Sequence, residues 1–368
     1  MARSAPPAQP DSITFATFKG IKNIVGSERL TPQELEIAVN VDIDDAGQIR
    51  RRRGQTKVVT GDCSSLYNAK SGQVYAVVNQ QLGLLNPNYS FIPLTAAGPD
   101  PLIYEEINGT IYWTSRSMNG KLVNGITPAP WGRADGQDYW LSPVVSPTAT
   151  LAKIRGKLLK IPPVATALGY LNGRLYMAAG QVVWATELYL YDYVDATRNY
   201  LFFEEDVTMI GMVQSGMYVG TTAALWFCSG PFSKMGRTLI VNHPVIPGSM
   251  VRVHASIADP TVPLDQFSPD KNAIMFMTSH GMCLGLDDGK VYNKTEDMIW
   301  FPIAKSAAAL YRQQDGVNAY VVSLDHGGTP SDAGRIGDYV DAELRRPGDW
   351  GYLHDGVRIS DAFIVDKV

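Results

Sequence analysis

Short apolar runs rich in β-branched and aromatic residues alternate along this chain with polar turns that contain Gly or Asn. Runs of this composition fit the pleated surface of a β-strand. The predicted strands lie at residues 73–78, 110–115, 174–179, 181–194, 217–222, 273–279 and 318–324. Because the 34 Gly and 23 Pro residues are spread through the sequence, the elements between turns must be short. The pattern predicts a mainly β protein.

Six of these segments share one phrase, in which a turn with Gly or Asn precedes an apolar run centred on an aromatic residue. The aromatic positions are Tyr75, Tyr112, Tyr176, Tyr218, Phe276 and Tyr320, separated by 37, 64, 42, 58 and 44 residues. One four-stranded propeller blade consumes about 40 to 50 residues, and the longer intervals leave room for inserted loops. The repeat therefore predicts a β-propeller of about six or seven blades. Two β-sandwiches would give similar short strands and remain an alternative.

The strongest helix signal lies before the repeats. Thr31 is a suitable N-cap, Pro32 occupies the first helical position, and Glu34 completes a Thr-x-x-Glu capping box. A short helix is therefore predicted to begin here. Residues 150–161 and 303–313 could also form short helices.

These signals divide the chain into three predicted parts. Residues 1–56 form an N-terminal arm that contains the short helix, residues 57–346 form the propeller, and residues 347–368 form a C-terminal strand or tail. The last part could pair with the strand-like residues 13–18 and close the ring, which would remove exposed sheet edges. The first residues are polar and rich in Pro, which is typical of a flexible tail rather than of a signal peptide.

Composition and charge narrow the function class. With 45% apolar and 18% charged residues, the chain has enough core material to fold and too few charges for a disordered or coiled-coil protein. A net charge of −4 offers no overall attraction to nucleic acid or to an anionic membrane. No apolar run approaches the length of about 18 residues that a membrane span needs. Cys63, Cys228 and Cys283 lack CxxC spacing, which favours buried thiols over disulfides or a zinc site.

An acidic segment at residues 40–47 superficially resembles a calcium-binding loop. The position that needs a bidentate Glu is occupied by Arg53, so a β-turn that leads into a strand is favoured. Asp287, Asp288 and Gly289 likewise match a tight hairpin turn, in which Gly supplies the positive φ. Neither segment predicts a metal site.

Catalytic signals are sparse. Adjacent carboxylates occur at residues 105–106 and 204–206, and a glycosidase would require two of them about 5 to 10 Å apart. His280 is close in sequence to Cys283, but packing is favoured over a Cys–His catalytic pair. The 5 His residues lack metal-ligand spacing, and nucleophile-elbow and phosphate-loop motifs are absent. The sequence therefore predicts no enzyme, no cofactor and no metal.

The sharpest charge feature is a run of four consecutive arginines: Arg50, Arg51, Arg52 and Arg53. Guanidinium groups bind phosphates or form bidentate pairs with carboxylates. Alternate side chains of an extended segment point to opposite faces, so at most two of the four share one surface. We predict that these arginines form a subunit contact or a solvated face, and phosphate binding remains an alternative.

The segment that contains these arginines, residues 18–54, resembles the N-terminal signature of tail structural proteins of tailed bacteriophages, notably the tail nozzle or tail tubular protein B-like family of short-tailed phages. That signature has a short helix followed by the pattern A-x-N-V-x-[IV]-D-x-x-G-x-[IL]-x-x-R-x-G. The matching positions are Ala38, Asn40, Val41, Ile43, Asp44, Gly47, Ile49, Arg52 and Gly54. Residues 171–187, 202–230 and 338–345 are similar to later strand phrases of the same proteins.

The resemblance implies a structural protein of the virion tail, as a nozzle, hub or stabilising protein, with no catalytic residue. It implies a homo-oligomeric ring, such as a hexamer, that assembles in the host cytoplasm and contacts neighbouring tail, adaptor or portal proteins and tail fibres. Double-stranded DNA would pass through or beside this ring during ejection without specific binding. The slightly acidic charge agrees with such a role, because each neutralised phosphate would add affinity and slow the passage of DNA.

Two other functions remain open. A propeller glycoside hydrolase or lyase that degrades polysaccharide would need carboxylates that converge at the mouth of the ring. A carbohydrate- or receptor-binding propeller would instead expose Trp and Tyr side chains in a concave site.

Overall fold

The computed structural model describes residues 17–22, 25–35, 41–43, 48–51, 58–132, 139–141, 157–254, 272–295, 304–314 and 317–325. Within these residues, 29 strands and two short 3-10 helices make the secondary structure almost entirely β. The chain divides into two compact units, one built mainly from Met1–Gly54 and the other mainly from Gln55–Glu296 and Pro302–Thr329.

The described part of the first unit contains two small sheets. Strand β1 (Gly20–Ile21) pairs in parallel with β2 (Glu34–Leu35), and β3 (Val41–Ile43) pairs antiparallel with β4 (Ile49–Arg51). A 3-10 helix at Ser27–Arg29 lies between β1 and β2. The N-terminal arm therefore contains a short helix, but not where the capping residues predicted it.

The helix predicted to begin at Thr31 is wrong, because a turn takes its place. The Thr31 amide donates to the Glu34 carboxylate at 2.9 Å, which is half of a capping box, and the Glu34 amide donates to the Thr31 carbonyl at 2.9 Å. Glu34 then continues into β2, where its carboxylate lies 3.1 Å from the Lys22 ammonium. The predicted partners do meet, but pairing with β1 overrides the local helix preference.

The second unit contains five antiparallel four-stranded sheets that follow one another along the chain. Sheet 1 consists of β5 (Cys63–Asn68), β6 (Val74–Val78), β7 (Gln81–Leu85) and β8 (Phe91–Ala96). Sheet 2 consists of β9 (Ile103–Ile107), β10 (Thr110–Thr114), β11 (Asn119–Val123) and β12 (Thr127–Ala129). Sheet 3 consists of β15 (Ala167–Leu171), β16 (Arg174–Ala179), β17 (Val182–Ala185) and β19 (Tyr200–Phe202).

The last two four-stranded sheets repeat this arrangement. Sheet 4 consists of β20 (Val207–Val213), β21 (Gly216–Thr221), β22 (Leu225–Ser229) and β23 (Gly236–Val241), with a 3-10 helix at Phe232–Lys234 before β23. Sheet 5 consists of β24 (Val251–His254), β25 (Asn272–Thr278), β26 (Gly281–Gly285) and β27 (Val291–Asn293).

Three strands form a sheet that is inserted in this series, and two more form a hairpin that follows it. The inserted sheet consists of β13 (Tyr139–Leu141), β14 (Lys157–Lys160) and β18 (Val194–Asp195), and the hairpin of β28 (Ser306–Gln314) and β29 (Val317–Asp325). The helices predicted at residues 150–161 and 303–313 are therefore wrong, because the described parts of both segments are strands that pair with neighbours. Residues 347–368, which were predicted to close the ring, lie outside the described residues.

The repeated aromatic residues occupy equivalent places in successive sheets. The second strands of sheets 1 to 5 carry Tyr75, Tyr112, Tyr176, Tyr218 and Phe276, and the second strand of the hairpin carries Tyr320. The first five are at most 6% exposed. Each belongs to an apolar cluster that joins its sheet to a neighbouring one. The prediction that a phrase marks one repeat is confirmed for the first five phrases, whereas the sixth lies in the two-stranded hairpin.

The row of sheets curves into a ring. Arg252 on the first strand of sheet 5 contacts Glu105 on the first strand of sheet 2, although three intervals of the repeat separate them. The two strands can meet only if the intervening sheets turn around a common axis. Four-stranded meander sheets packed around an axis are the blades of a β-propeller, which confirms the predicted fold. Five four-stranded blades, named blades 1 to 5 after their sheets, lie within the described residues.

Candidate functional site

Two charged side chains meet where the first strands of blades 2 and 5 face each other. Arg252 contacts Glu105 in a fork-to-fork arrangement, with Nη1 3.2 Å from Oε1 and Nη2 2.6 Å from Oε2. The Glu105 side chain is 5% exposed and the Arg252 side chain is 40% exposed. Burial by itself would lower the pKa of Arg252, but the Glu105 carboxylate raises it on balance. We call this contact the central ion pair.

Two tyrosines extend the central ion pair towards blade 1. Tyr67 on β5 stacks on Tyr104 on β9, with ring centroids 5.0 Å apart and ring planes at 19°. Burial, and then the nearby carboxylates of Glu105 and Glu106, raise the pKa of Tyr67 above the ordinary range. The cluster links three blades: Arg252 joins blade 5 to Glu105 of blade 2, and the stacked tyrosines join blade 2 to blade 1.

The adjacent carboxylates of Glu105 and Glu106 do not point into the same space. Successive side chains of a strand point to opposite faces, and Glu106 therefore faces away from the central ion pair. Its Oε2 accepts a hydrogen bond from the Lys70 backbone amide at 2.6 Å. In the second acidic segment, which connects β19 to β20, Glu204 and Asp206 are exposed. The arrangement that a glycosidase requires is not formed by the pair at 105–106.

A small cavity of about 130 Å³ lies between blades 1 and 2 at one end of the ring. Its walls come from three turns, which join β5 to β6, β9 to β10 and β11 to β12. Ser71, Gln73, Glu106 and Asn124 contribute polar groups, and Ile111 contributes an apolar wall. We call this space the turn cavity.

The outer strands of blades 3 and 4 expose apolar side chains. Tyr200 and Phe202 on β19 are 47% and 53% exposed, and Leu239 on β23 is 48% exposed. The Arg237 guanidinium on β23 donates to the Phe202 carbonyl, so the two outer strands are adjacent at this point. We call Tyr200 and Phe202, whose side chains share one face of β19, the outer patch. Leu239 is separate from it, because it pairs with Trp226 on the side of blade 4 that faces the opposite face of β19.

The strand predicted at residues 181–194 is interrupted by an exposed turn. Strand β17 ends at Ala185, and Leu188, Tyr189 and Leu190 then face solvent, with Tyr189 73% exposed. Tyr189 has a φ of 58°, which a residue other than Gly rarely adopts. Its amide donates to the Gly173 carbonyl at 2.8 Å, so blade 3 holds the turn while its side chains stay exposed.

The histidine and cysteine candidates occupy different environments. Cys283 is buried, with Sγ 3.8 Å from Thr278 Oγ1, whereas His280 is exposed and stacks on His243 with ring centroids 3.6 Å apart. Cys228 is also buried, and burial raises the pKa of its thiol to about 12. These environments favour packing over a thiolate nucleophile with an adjacent base.

The arginine run is described only in part. Arg50 and Arg51 belong to β4, where Arg50 pairs with Asp42 and Arg51 pairs with Val41 across the hairpin. Arg52 and Arg53 lie outside the described residues, as does the acidic segment after Ile43. The subunit contact of the four arginines stays a prediction.

The predicted hairpin at Asp287, Asp288 and Gly289 is confirmed. It joins β26 to β27, and Gly289 supplies a φ of 86°. In the part of the chain that the structure describes, no group of three or more His, Cys, Asp or Glu side chains could hold a metal ion. No helix of the described residues is both long and apolar enough to cross a membrane.

Comparison with known proteins gives structural likeness only. No family model and no curated protein matches the chain. The N-terminal domain of Nup159 is 10% identical, over 69% of this chain and 71% of that one, with a TM-score of 0.40. The Pan2 WD40 domain of Neurospora crassa is 8% identical, over 68% and 69%, with a TM-score of 0.36.

BBS1N, in a complex with ARL6DN, is 9% identical, over 76% of this chain and 79% of that one, with a TM-score of 0.42. None of the three is described as a phage or virion protein. Likeness at this level carries no argument about function, and the propeller assignment rests on the blades and the central ion pair.

Proposed function

We propose that this chain is a non-catalytic structural propeller of a bacteriophage virion tail, which works by binding further copies of itself and neighbouring tail proteins. The structural observation that carries the proposal is the outer patch. The sequence resemblance of residues 18–54 supplies the virion context. Exposed aromatic side chains that share one face of a strand are typical of interaction sites, in which aromatic residues are enriched.

The outer patch has the chemistry of a protein interface. Tyr200 and Phe202 are two residues apart on β19, so their side chains share one face. Trp184 on the neighbouring strand β17 lies beside Tyr200 with ring centroids 5.8 Å apart, and the Arg237 guanidinium lies 5.5 Å from the ring centroid of Phe203. Aromatic and Arg side chains that are already packed lose little torsional freedom on binding, which is why they dominate interface energies.

The interior of the ring supports the same proposal, because its candidate catalytic groups are engaged or buried. The two carboxylate oxygens of Glu105 are taken up by Arg252, and Cys228 and Cys283 are buried among core residues. The Glu105 carboxylate and the two thiols are buried in the ring. A substrate that arrives from solvent could not reach them. The exposed groups on blades 3 and 4 are the better candidates for function.

Sedimentation velocity of the full chain over a wide concentration range tests the proposal. We expect concentration-dependent oligomers, and we expect the double substitution Tyr200→Ser with Phe202→Ser to weaken association at least about tenfold, because it removes two aromatic contacts. The matched control is Ile92→Ser, on the outer strand of blade 1, where Ile92 is 47% exposed. The control should associate like the unmodified chain.

A chain that stays monomeric at every concentration, and that mass spectrometry does not find in purified particles of the phage that encodes it, would overturn the proposal. Association that the control substitution weakens as much as the double substitution would reject the outer patch as the contact.

A second candidate function is carbohydrate binding, and the turn cavity favours it. The cavity opens at one end of the ring, and the side chains of Ser71, Gln73, Glu106 and Asn124 contribute to its walls. A glycan array probed with the monomeric fraction of the full chain tests this function. Selective retention on one class of glycan would support it, and uniform background would reject it.

A further inference from the structure

The two ends of the propeller carry different turns. In an antiparallel blade the first-to-second and third-to-fourth turns lie at one end, which we call end A. The second-to-third turns and the connections between blades lie at the other, which we call end B. The Tyr189 amide donates to the Gly173 carbonyl and joins two turns at end A, and the Asn79 amide donates to the Asp62 carbonyl and joins two segments at end B.

Both ends expose large apolar side chains, and in the part of the chain that the structure describes they do so only on blades 1 to 3. At end A these are Tyr89 on blade 1, Ile126 on blade 2 and residues 188–190 on blade 3. At end B they are Val58 before blade 1, Met118 on blade 2 and Val164 before blade 3. The same sector of the ring is therefore apolar at both ends.

Strand β5 of blade 1 has opposite charges beyond its two ends. Asp62 precedes the strand at end B, Lys70 follows it in the β5–β6 turn at end A, and both residues are exposed. The Lys70 ammonium donates to the Glu106 backbone carbonyl at 3.4 Å, which holds it at end A. A strand of six residues spans about 20 Å, so Lys70 and Asp62 do not neutralise each other within one chain.

Strand β19 of blade 3 repeats this arrangement in the same sense. Arg198 precedes the strand at end A, Glu204 and Asp206 follow it at end B, and all three residues are exposed. Blades 1 and 3 are therefore basic at end A and acidic at end B. Arg116 on blade 2 is an exposed basic residue between the two acidic positions at end B.

The exposed turn at residues 188–190 is held by its flanking carboxylates. The Asp192 carboxylate lies 2.6 Å from the Lys121 ammonium of blade 2, and the Glu187 carboxylate accepts from the Asn199 side-chain amide at 3.0 Å. Both carboxylates are thus engaged within the chain. A turn that is already fixed loses little conformational freedom when a partner covers it.

These patterns favour a second copy of this chain, placed head to tail, as the partner. When end A of one copy meets end B of the next with the blades in register, Lys70 faces Asp62 and Arg198 faces Glu204. The apolar sectors of the two copies then cover each other. Two copies that met through end A would instead bring like charges together, which costs binding free energy.

We infer that copies of this chain associate end to end, with end A of blades 1 to 3 of one copy on end B of blades 1 to 3 of the next. The inference rests on the self-association in the proposed function, and it names a contact that is separate from the outer patch. A contact between two different surfaces of identical chains builds a ring or an open stack rather than a closed pair.

Zero-length carbodiimide cross-linking of the full chain tests the inference. An equal mixture of unlabelled and ¹⁵N-labelled chain separates links between copies from links within one copy. Where sedimentation shows oligomers, we expect mass spectrometry to find mixed-label amide links between the Lys70 and Asp62 side chains. Links between Lys70 of one copy and Lys70 of another, made by a short amine-specific reagent, would show head-to-head association and overturn the inference.

Charge reversal tests the direction of the contact, with Tyr200→Ser and Phe202→Ser present so that the outer patch does not contribute. Arg198→Glu should weaken association about tenfold, because it places a carboxylate opposite Glu204. Glu204→Arg should have the same effect, and the chain with both changes should associate as before, because each contact again joins opposite charges. The matched control is Lys234→Glu, an exposed residue at end A of blade 4, which should change association little.

The possible failures are distinguishable. A full chain that is monomeric at every concentration would overturn both this inference and the self-association of the proposed function. Oligomers that show no link between Lys70 and Asp62 would overturn the inference alone. The same holds if the chain with both Arg198→Glu and Glu204→Arg associates as weakly as each single variant.

Discussion

The first strands of the blades carry charged side chains at the centre of the ring, whereas the fourth strands of blades 3 and 4 expose apolar side chains on the outside. This is the reverse of the usual distribution of charged and apolar residues. At the centre, Glu105 and Arg252 place charged groups where the first strands of two blades meet. On the outside, Tyr200, Phe202 and Leu239 are about half exposed on the fourth strands of blades 3 and 4. A soluble monomer would be expected to arrange these residue types the other way round.

The difference separates groups that are paired within the ring from groups that a partner could cover. The central charges neutralise each other within the chain, so they act on the fold. The outer apolar groups are covered only in part by the chain itself, and their burial would therefore come from a partner. Substitutions in the central ion pair should therefore change the free energy of unfolding, whereas substitutions in the outer patch should change association.

The largest effect on stability should come from alkaline pH, through the tyrosines of the second strands. Burial raises the pKa values of Tyr75, Tyr112, Tyr176 and Tyr218 in the folded chain. In the unfolded chain these phenols release protons near pH 10. The unfolded state then binds fewer protons than the folded state, so the free energy of unfolding falls as the pH rises above about 10, and below that pH the contribution is fully present.

Each such phenol should lower the free energy of unfolding by about 1 kcal/mol at about pH 11. The four together should lower it by more than a single core substitution does. Urea unfolding as a function of pH, followed with phenolate absorbance, measures the loss. Tyr218→Phe removes one ionising group and should reduce the pH dependence. Ionisation of these four tyrosines near pH 10 in the folded chain would contradict the expectation.

A matched pair of Leu→Ala substitutions in blade 4 tests the comparison within one sheet. Leu225 on β22 is fully buried against blade 5, whereas Leu239 on the neighbouring β23 is 48% exposed. We expect Leu225→Ala to lower the free energy of unfolding by about 3 kcal/mol and Leu239→Ala to change it by less than about 0.5 kcal/mol.

Urea unfolding of both variants measures these changes, and sedimentation of both measures association. Leu239→Ala should leave both stability and association nearly unchanged, because its side chain is about half exposed and lies apart from the outer patch. A stability loss at Leu239 as large as at Leu225 would mean that the outer strand is part of the core.

The propeller could be predicted because its signal is local. Each repeat combines a turn with a strand that carries one large aromatic residue, and these features lie within about a dozen residues of each other. The buried positions of Tyr75 and Phe276 follow directly from this pattern. Local signals failed where a partner strand decided the outcome. Residues 306–314 begin with a run of Ala that favours a helix, yet they pair along their whole length with the β-branched strand β29.

The candidate sites could not be predicted, because distant residues build them. Glu105 and Arg252 are 147 positions apart in the sequence, and neither is unusual in its local context. The turn cavity is made from Ser, Gln, Asn and Gly residues, which are ordinary turn formers when read along the chain. The exposed turn at Tyr189 could not be predicted either, because alternating Leu and Tyr residues continue the strand pattern beyond Ala185.

The smallest of the three stability effects should come from the central ion pair, and it should be asymmetric. Arg252→Met leaves the Glu105 carboxylate, which is 5% exposed, without its guanidinium partner. Glu105→Gln leaves the Arg252 guanidinium, which is 40% exposed and can be hydrated. We expect losses in the free energy of unfolding of about 2 kcal/mol for Arg252→Met and about 1 kcal/mol for Glu105→Gln.

The double variant separates a true pair from two independent sites. If the two side chains act through each other, removing both should cost less than the sum of the single losses, since no buried charge is then left unpaired. Urea unfolding of the single and double variants gives this coupling energy. Additive losses would mean that the contact between blades 2 and 5 contributes nothing to stability, and the ring would then be held by the apolar clusters between neighbouring blades alone.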